Sequence, residues 1–126
     1  MPIAYICYRS MKPNDKLVQL EMQIHTVKTA LLALGPMRPG SLSRQYNVCG
    51  NPHCRCKAKV HPHKHGPYYQ LSYVHRGQHT TQFIRRESLA AVKRQLANFK
   101  QFRKLTDQWV TLALQHALLS LKLSRV

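Results

Sequence analysis

Residues 49–69, CGNPHCRCKAKVHPHKHGPYY, decide the fold because they concentrate the side chains that bind transition metals. Three of the four cysteines and four of the eight histidines in the 126-residue chain lie in this stretch. The spacing C-x4-C-x-C-x8-H suggests one ligand set, which comprises Cys49, Cys54, Cys56 and His65. Thiolates and imidazoles at such spacings can fold a short loop around one tetrahedral Zn2+ ion. The stretch therefore predicts a structural zinc site.

The spacing leaves undecided which histidine is the fourth ligand. His65 is favoured because it abuts the Gly-Pro dipeptide that begins the next element. His53, His61 and His63 are also within reach along the chain and stay as alternates. A loop of reduced cysteines without metal is the simplest competing interpretation, but three thiols within eight residues beside a His-Gly-Pro exit favour a metal site.

A disulfide framework fits these cysteines poorly. Cys54 and Cys56 are too close in sequence to form one useful cross-link, and the start, MPIAYICYRS, does not suggest a secretory signal. Zinc-bound thiolates imply a reducing, cytoplasmic compartment. No apolar run reaches the roughly 18 residues that a transmembrane helix needs. The remaining thiol, Cys7, is expected to be inert, in an N-terminal segment (1–12) that is a loose strand or tail, and Met11 is an alternative start.

The charge of the chain indicates an anionic partner. Twenty lysines and arginines face only four carboxylates, which gives a net charge of +16 with neutral histidines. A single small domain with this imbalance repels itself unless a polyanion screens it, and nucleic acid is the commonest such partner. Anionic membrane and acidic protein are the alternatives.

The segment before the metal loop predicts a helix over residues 14–34. Asn14 is the expected N-cap and Asp15 lies in the first turn, where a negative charge favours the helix dipole. Gly35-Pro36 ends the helix. Its apolar residues follow a 3-4-3-4-3 spacing typical of a coiled-coil seam: Leu17, Leu20, Ile24, Val27, Leu31 and Leu34. The zinc loop then occupies residues 38–66.

A β-hairpin is predicted over residues 67–85, with Arg76-Gly77 as its turn. Alternation places Tyr69, Leu71 and Tyr73 on one face of the first strand. This face either packs on a helix, which we favour, or stacks nucleic-acid bases. The candidate stacking residues are Tyr68, Tyr69 and Tyr73.

A long helix is predicted over residues 87–123. Its first half is expected to cover the hairpin through a seam that comprises Leu89, Val92, Leu96 and Phe99. Its second half carries a seam in 4-3-4-3-4 spacing: Leu105, Trp109, Leu112, His116, Leu119 and Leu123. We expect this second seam to pair antiparallel with the first helix. A further apolar row comprises Val110, Leu114, Ala117, Leu118 and Leu121. Such a row predicts burial by residues 1–12 or, preferably, a homodimer through residues 105–123.

These elements together predict an α+β fold in one domain, 1–126. It comprises an N-terminal helix, a Cys3His zinc loop, a two-stranded antiparallel hairpin, and a long C-terminal helix. The run RPGSLSRQYNVCGNPHCRC…HGPYYQLSY resembles an uncharacterised family of small prokaryotic proteins with a CGxxxCRC…HGPYY signature and a long helix after it. The resemblance covers residues 38–121 and implies the same four ligands. It also implies a link to mobile elements, because the family's genes often neighbour transposases and integrases.

The composition argues against catalysis. An enzyme needs acids, bases or an open metal position. The only carboxylates are Asp15, Glu21, Glu87 and Asp107, and none lies in the metal loop. A four-ligand Cys3His site is closed and structural. A metal-dependent hydrolase, with an additional position supplied by His61 or His63, is the least favoured alternative.

We therefore expect a cytoplasmic, zinc-stabilised accessory protein that binds DNA or RNA without sequence readout. The alternative is an adaptor that docks on a recombinase, a transposase or another acidic protein. The candidate phosphate-binding residues are the unpaired cations of the loop, hairpin and long helix: Arg38, Arg44, Arg55, Lys57, Lys59, Lys64, Arg76, Arg86, Lys93, Lys100 and Lys104.

Overall fold

The computed structural model describes residues 12–125, so the expectations for Cys7, Met11 and residues 1–11 lie outside the described residues. Two helices and three strands occur in the following order: α1 (Pro13–Leu32), β1 (Ser41–Asn47), β2 (His65–His75), β3 (Gln78–Ile84) and α2 (Leu89–Ser124). Short 3-10 helices occupy Arg55–Lys57 and Arg86–Ser88. The predicted α+β class is confirmed.

The chain divides into two compact units, which are described separately. The helical unit contains the described residues up to Leu34 and those from Lys100 onward. The sheet unit is Gly35–Phe99. The long helix α2 contributes residues to both units, because its first turns belong to the sheet unit and the rest to the helical unit.

In the helical unit, α1 begins one residue before the predicted start. Its N-cap is Lys12, which makes no side-chain capping bond, so the expected cap at Asn14 is wrong. Pro13 explains the difference, because its fixed φ and missing N–H suit the first helical position. Asp15 lies in the first turn as expected, and the helix ends at Leu32.

Two side-chain contacts establish that α1 and α2 pack antiparallel. Glu21 Oε1 lies 3.1 Å from His116 Nε2, and Lys28 Nζ lies 5.0 Å from the ring centroid of Trp109. From the first contact to the second, the residue number rises on α1, from Glu21 to Lys28, and falls on α2, from His116 to Trp109. The two helices therefore run antiparallel, which confirms the prediction. The predicted seams form the less exposed faces of both helices, with Val27 and Leu105 buried.

The sheet has three strands, so the predicted two-stranded hairpin is incomplete. β1 pairs antiparallel with β2, and the strand order is β1-β2-β3. The sequence of β1, SLSRQYN, lies within the segment predicted as zinc loop. It has only weak alternation and a single aliphatic residue, Leu42, so little in its composition indicates a strand. As an edge strand it can tolerate this polar composition.

The β2–β3 hairpin agrees with the prediction. His75 pairs with Gln78 across a two-residue turn, and both turn residues, Arg76 and Gly77, have positive φ angles of 52° and 77°. Positive φ at both positions is typical of the type I′ turn that matches the twist of hairpin strands. The hairpin therefore sets its own register locally.

The two faces of the sheet differ sharply in exposure. The packed face carries Leu71, which is fully buried, beside the half-buried Tyr69 and Tyr73. Their cross-strand partners on the same face include Leu42 and Ile84. The open face carries residues that alternate with these: Ser43, Gln45, Tyr68, Gln70, Ser72, Val74, His79, Thr81 and Phe83. Burial of the Tyr69–Tyr73 side agrees with the favoured interpretation that this face packs.

We predict that Leu71→Ala lowers the free energy of unfolding by about 2–5 kcal/mol, because it leaves a cavity at the most buried position of the sheet unit. The matched control is Val74→Ala on the same strand, where the side chain is 51% exposed and the expected change is about 0.5 kcal/mol. Urea unfolding of both variants measures the difference. Equal effects of the two substitutions would contradict the assignment of the faces.

Candidate metal centre

The four candidate ligands come from three parts of the chain, which the sheet register brings together. Cys49 follows β1, Cys54 and Cys56 lie at the short 3-10 helix, and His65 is the first residue of β2. Asn47 pairs with His65 across the sheet, so the connection between β1 and β2 starts and ends at the same point. The ligands therefore lie where this connection closes.

The four ligand atoms form one cluster in which all lie within 4.8 Å of one another. Cys49 Sγ is 3.6 Å from Cys56 Sγ, and Cys54 Sγ is 3.2 Å from His65 Nε2. A tetrahedral zinc ion with bonds of 2.3 Å to sulfur requires neighbouring sulfurs about 3.8 Å apart. The spacing of the donors therefore suits a small tetrahedral ion, and no disulfide joins the three described cysteines.

Backbone hydrogen bonds shape the loop that carries the central thiols. Cys54 N–H donates to Asn51 O at 3.3 Å, and Lys57 N–H donates to Cys54 O at 3.0 Å. Cys49 N–H donates to Cys56 Sγ at 3.3 Å. A backbone donor on a ligating sulfur stabilises its thiolate and orients it, as the outer-shell partners of metal ligands generally do. Cys56 is only 2% exposed, which makes it the buried centre of the loop.

Gly66 allows the chain to leave the cluster. Its φ of 137° is unfavourable for residues with a Cβ, and a Cβ there would lie 2.8 Å from Gln45 O. The neighbouring Tyr46 ring would be 3.1 Å away. Glycine is therefore required for β2 to approach β1 immediately after His65.

Electrostatics within the cluster favour thiolates at two positions. The backbone of Asn51, followed by the side chain of His65, lowers the pKa of Cys49 from 9.0 to about 6. The pKa of Cys54 is also lowered, mainly by the backbone of Cys56. Both shifts favour the thiolate, which is the form of cysteine that binds a metal.

The other two donors hold their protons more strongly. The Cys49 N–H favours the Cys56 thiolate, but burial and the neighbouring sulfurs outweigh it and raise the pKa of Cys56. The sulfurs of Cys49 and then Cys54 raise the pKa of His65 from 6.5, because they stabilise its imidazolium. The cluster therefore places two sulfurs that favour the thiolate beside a thiol and an imidazole whose pKa values are raised. A bound divalent cation would stabilise the deprotonated form of all four donors.

The alternate histidines lie outside this cluster. His53, His61 and His63 are exposed, and only His65 is grouped with the three thiols among the described residues. His61 has a positive φ of 48°. The His63 N–H donates to Arg55 O at 3.1 Å, so the segment 61–63 contacts the 3-10 helix through its backbone, while its two imidazoles stay outside the cluster.

The candidate cations are distributed around the sheet unit and along α2. Arg38 is half-buried and its backbone N–H donates to Gln95 O at 3.2 Å. The other candidates in the sheet unit are all exposed: Arg44, Arg55, Lys57, Lys59, Lys64, Arg76, Arg86 and Lys93. Lys100 and Lys104 are exposed as well but belong to the helical unit.

The candidate stacking residues lie on different faces of the sheet. Tyr68 is on the open face and 41% exposed, whereas Tyr69 and Tyr73 are half-buried beside Leu71. Sequence reasoning missed Phe83, which is 70% exposed on the open face. Applying the two-residue period to β3 as well as β2 would have placed Phe83 opposite Gln70 and identified it.

Fold and site define the class: an α+β protein with a Cys3His cluster where the connection between β1 and β2 closes. Residues 15–94 match the family described as Domain of unknown function (DUF6788). This match covers more than half of the 126 residues, so the chain belongs to that family. No curated protein matches the chain, and no solved structure matches it. Among residues 12–125, neither helix combines the length and apolar character that would let it cross a bilayer.

We predict that Cys56→Ser weakens Zn2+ binding by on the order of a hundredfold or more, because it replaces a buried donor of the cluster. The matched control is His63→Gln, which removes a nearby exposed histidine outside the cluster and is expected to leave affinity unchanged. Competition with a chromophoric chelator measures both. Equal weakening by both changes would contradict the ligand assignment.

We also predict that Zn2+ affinity falls as the pH falls, because protons compete with the metal for its ligands. The dependence should steepen below about pH 6, where the Cys49 thiolate takes up its proton. Protonation of His65 should add to it, because the sulfurs of Cys49 and Cys54 raise the pKa of that imidazole. The same competition titration between pH 5 and pH 8 tests this. Affinity that does not change over that range would contradict thiolate and imidazole ligation.

Proposed function

We propose that the chain is a zinc-stabilised, non-catalytic protein that binds nucleic acid through the cations of its sheet unit. The observation that carries the proposal is the charge of that unit. Within residues 35–99, eleven lysines and arginines face one carboxylate, Glu87. These cations are Arg38, Arg44, Arg55, Lys57, Lys59, Lys64, Arg76, Arg85, Arg86, Lys93 and Arg94.

Among the described residues these cations have no carboxylate partner, although the Arg44 guanidinium lies over the Tyr46 ring, 6.0 Å from its centroid. In the part of the chain that the structure describes, the side-chain ion pair is His116–Glu21, and no lysine or arginine pairs with a carboxylate. Ten of the eleven are exposed, with Arg38 half-buried. An exposed, uncompensated field of one sign attracts a polyanion and raises its association rate. The phosphate backbone of DNA or RNA is such a polyanion, with negative charges at regular spacing.

Zinc would serve this function by ordering the cationic loop. Arg55 and Lys57 flank the buried Cys56 directly, and the loop continues through Lys59 and Lys64 to His65. Metal binding would fix this backbone before nucleic acid arrives, so that less conformational entropy is lost on binding. Four protein donors would fill the four positions of a tetrahedral zinc ion and leave none for a reactive water, which supports a structural role over a hydrolytic one.

The helical unit suggests self-association as a separate proposal. The expected apolar row on α2 is exposed, with Val110 at 56%, Leu114 at 59% and Leu118 at 63%. On α1, Val18 and Met22 are exposed as well. Apolar patches of this kind on small proteins commonly mark contact surfaces. We propose that residues 105–123 form a homodimer contact, so that one dimer would present two cationic sheet units to one nucleic acid.

We predict that Leu114→Glu with Leu118→Glu yields a monomer while the wild-type chain sediments as a dimer, because each change places a charge in the proposed contact. The control is Gln115→Glu with Ser120→Glu, which adds the same charge at exposed polar positions of α2. Analytical ultracentrifugation at several concentrations separates the cases. A monomeric wild-type chain would contradict the dimer and leave the nucleic-acid proposal standing.

We predict that affinity for a nucleic-acid probe falls by on the order of a hundredfold over a fourfold rise in salt if about five phosphates are contacted. The triple neutralisation of Lys57, Lys59 and Lys64 to Gln should weaken binding and flatten the salt dependence. The matched control neutralises three exposed cations of the helical unit, Lys12, Lys122 and Arg125. Fluorescence anisotropy with zinc-loaded protein measures both slopes.

Affinity that is insensitive to salt, or equal effects of the two triple variants, would contradict binding by the sheet unit. A stoichiometric protein complex that survives high salt and nuclease treatment, with no detectable binding to DNA or RNA, would support the adaptor instead.

A further inference from the structure

The open face of the sheet carries two large aromatic side chains that are exposed to solvent. Phe83 is 70% exposed and Tyr68 is 41% exposed, and Val48, which lines a depression beside both rings, is 54% exposed. Leaving an aromatic ring in water forgoes a large part of its favourable burial. Exposed rings of this size on a small sheet indicate a surface that another molecule covers.

The register places the two aromatic residues together. Phe83 on β3 pairs with Gln70 on β2, and Tyr68 precedes Gln70 by two positions on the same face. Tyr68 and Phe83 are thus diagonal neighbours, a relation that brings side chains of this size within reach of each other. Gln70 lies between them and is half-buried, so its amide can contact a group that rests on the rings.

The aromatic pair borders two depressions of the surface. One, of about 510 Å³, lies at the end of the hairpin and reaches both faces there; its lining is Gly66, Pro67, Tyr68, Tyr69, Phe83, Ile84, Arg85 and Arg86. The other, of about 490 Å³, is lined by the same two rings together with Val48, Cys49 and His65. The rings therefore form a ridge that a flat molecule can approach from either side, with arginines at one edge and metal ligands at the other.

The charge around the ridge selects the occupant. Arg85 and Arg86 are exposed, and no carboxylate lines either depression among the described residues. Aromatic rings beside unpaired cations suit a ligand that offers flat faces and negative charge together. Unpaired nucleotides have both, because each base has a free π face and each link carries a phosphate. Bases within a duplex keep their faces stacked on each other and cannot use the ridge.

We propose that the open face binds single-stranded nucleic acid, with unpaired bases stacked on Tyr68 and Phe83 and the adjoining phosphates held by Arg85 and Arg86. The inference rests on the proposed nucleic-acid function and adds the form of nucleic acid that the sheet recognises. Stacking is tolerant of sequence, so the open face distinguishes single strands from duplexes and has little preference among bases.

The test compares a fluorescein-labelled 12-nucleotide single strand with the duplex of the same sequence, by anisotropy with the zinc-loaded full chain. We expect the single strand to bind more tightly. Phe83→Ala should weaken single-strand binding by about fivefold to a hundredfold, whereas Phe83→Trp should retain it. The control is Val74→Ala on the same face, which removes an exposed apolar group without a ring and should change nothing.

The salt dependence separates stacking from charge. Phe83→Ala should lower affinity at every salt concentration without changing the slope, because no cation is lost. Arg85→Gln with Arg86→Gln should flatten the slope. A 5-iodouridine placed in the single strand should crosslink to the peptides that contain Tyr68 or Phe83, and zinc content should be equal in all variants. Tyr68→Phe, which keeps the ring, should bind as the wild-type chain does.

Several outcomes would overturn the inference. They are equal or tighter binding of the duplex, unchanged single-strand affinity in Phe83→Ala, or crosslinks confined to other residues. If neutralising Lys57, Lys59 and Lys64 still weakened binding in that case, the proposed function would stand and only the stacking surface would fall. No binding of either probe by the zinc-loaded chain would instead contradict the proposed function itself.

Discussion

The convergence of three thiols and one imidazole within 4.8 Å is the interaction on which the sheet unit depends. The connection between β1 and β2 is polar, and Cys56 is its single buried residue. A loop of this kind gains little from apolar burial and loses backbone entropy on ordering. Ligation of one ion to four donors can supply the missing stabilisation, because the free energy of metal binding is coupled to folding.

The backbone that carries the cluster also carries parts of the surfaces proposed for nucleic acid. His65 is both a donor of the cluster and the first residue of β2, three positions before Tyr68. Arg55 and Lys57 flank Cys56 and belong to the 3-10 helix. The geometry of the cluster therefore sets the position of the cations on the loop and the start of the strand that carries one ring of the ridge. If the chain binds zinc and nucleic acid as proposed, the two events would be coupled through this short stretch of backbone.

Much of the fold could be predicted from periodicity and turn chemistry. The seams around Val27 and Leu105 face a helix partner because their 3-4 spacing permits little else, and Arg76-Gly77 marks the hairpin because few dipeptides adopt two positive φ angles. β1 could not be predicted, because SLSRQYN becomes a strand only through pairing with β2. The helix start was misplaced because the preference of Pro13 for the first helical position overrides the capping preference of Asn14.

The three cysteines of the cluster could be named from spacing alone, whereas the choice of His65 over His53, His61 and His63 is settled by the strand register that places His65 opposite Asn47. Of the two rings of the ridge, the sequence analysis identifies Tyr68 but not Phe83, because the exposure of Phe83 follows from its cross-strand position. Properties carried by local spacing were thus accessible from sequence, and those that arise from pairing between strands were not.

The most direct test of the account is native mass spectrometry combined with hydrogen exchange, before and after chelation. The account predicts one zinc ion per chain. Its removal should accelerate amide exchange in the connection between β1 and β2 and in β1 itself, while the amides of α1 remain protected. A chain that carries no zinc, whose Cys49, Cys54 and Cys56 react freely with alkylating reagent and whose exchange is the same with and without chelator, would contradict it.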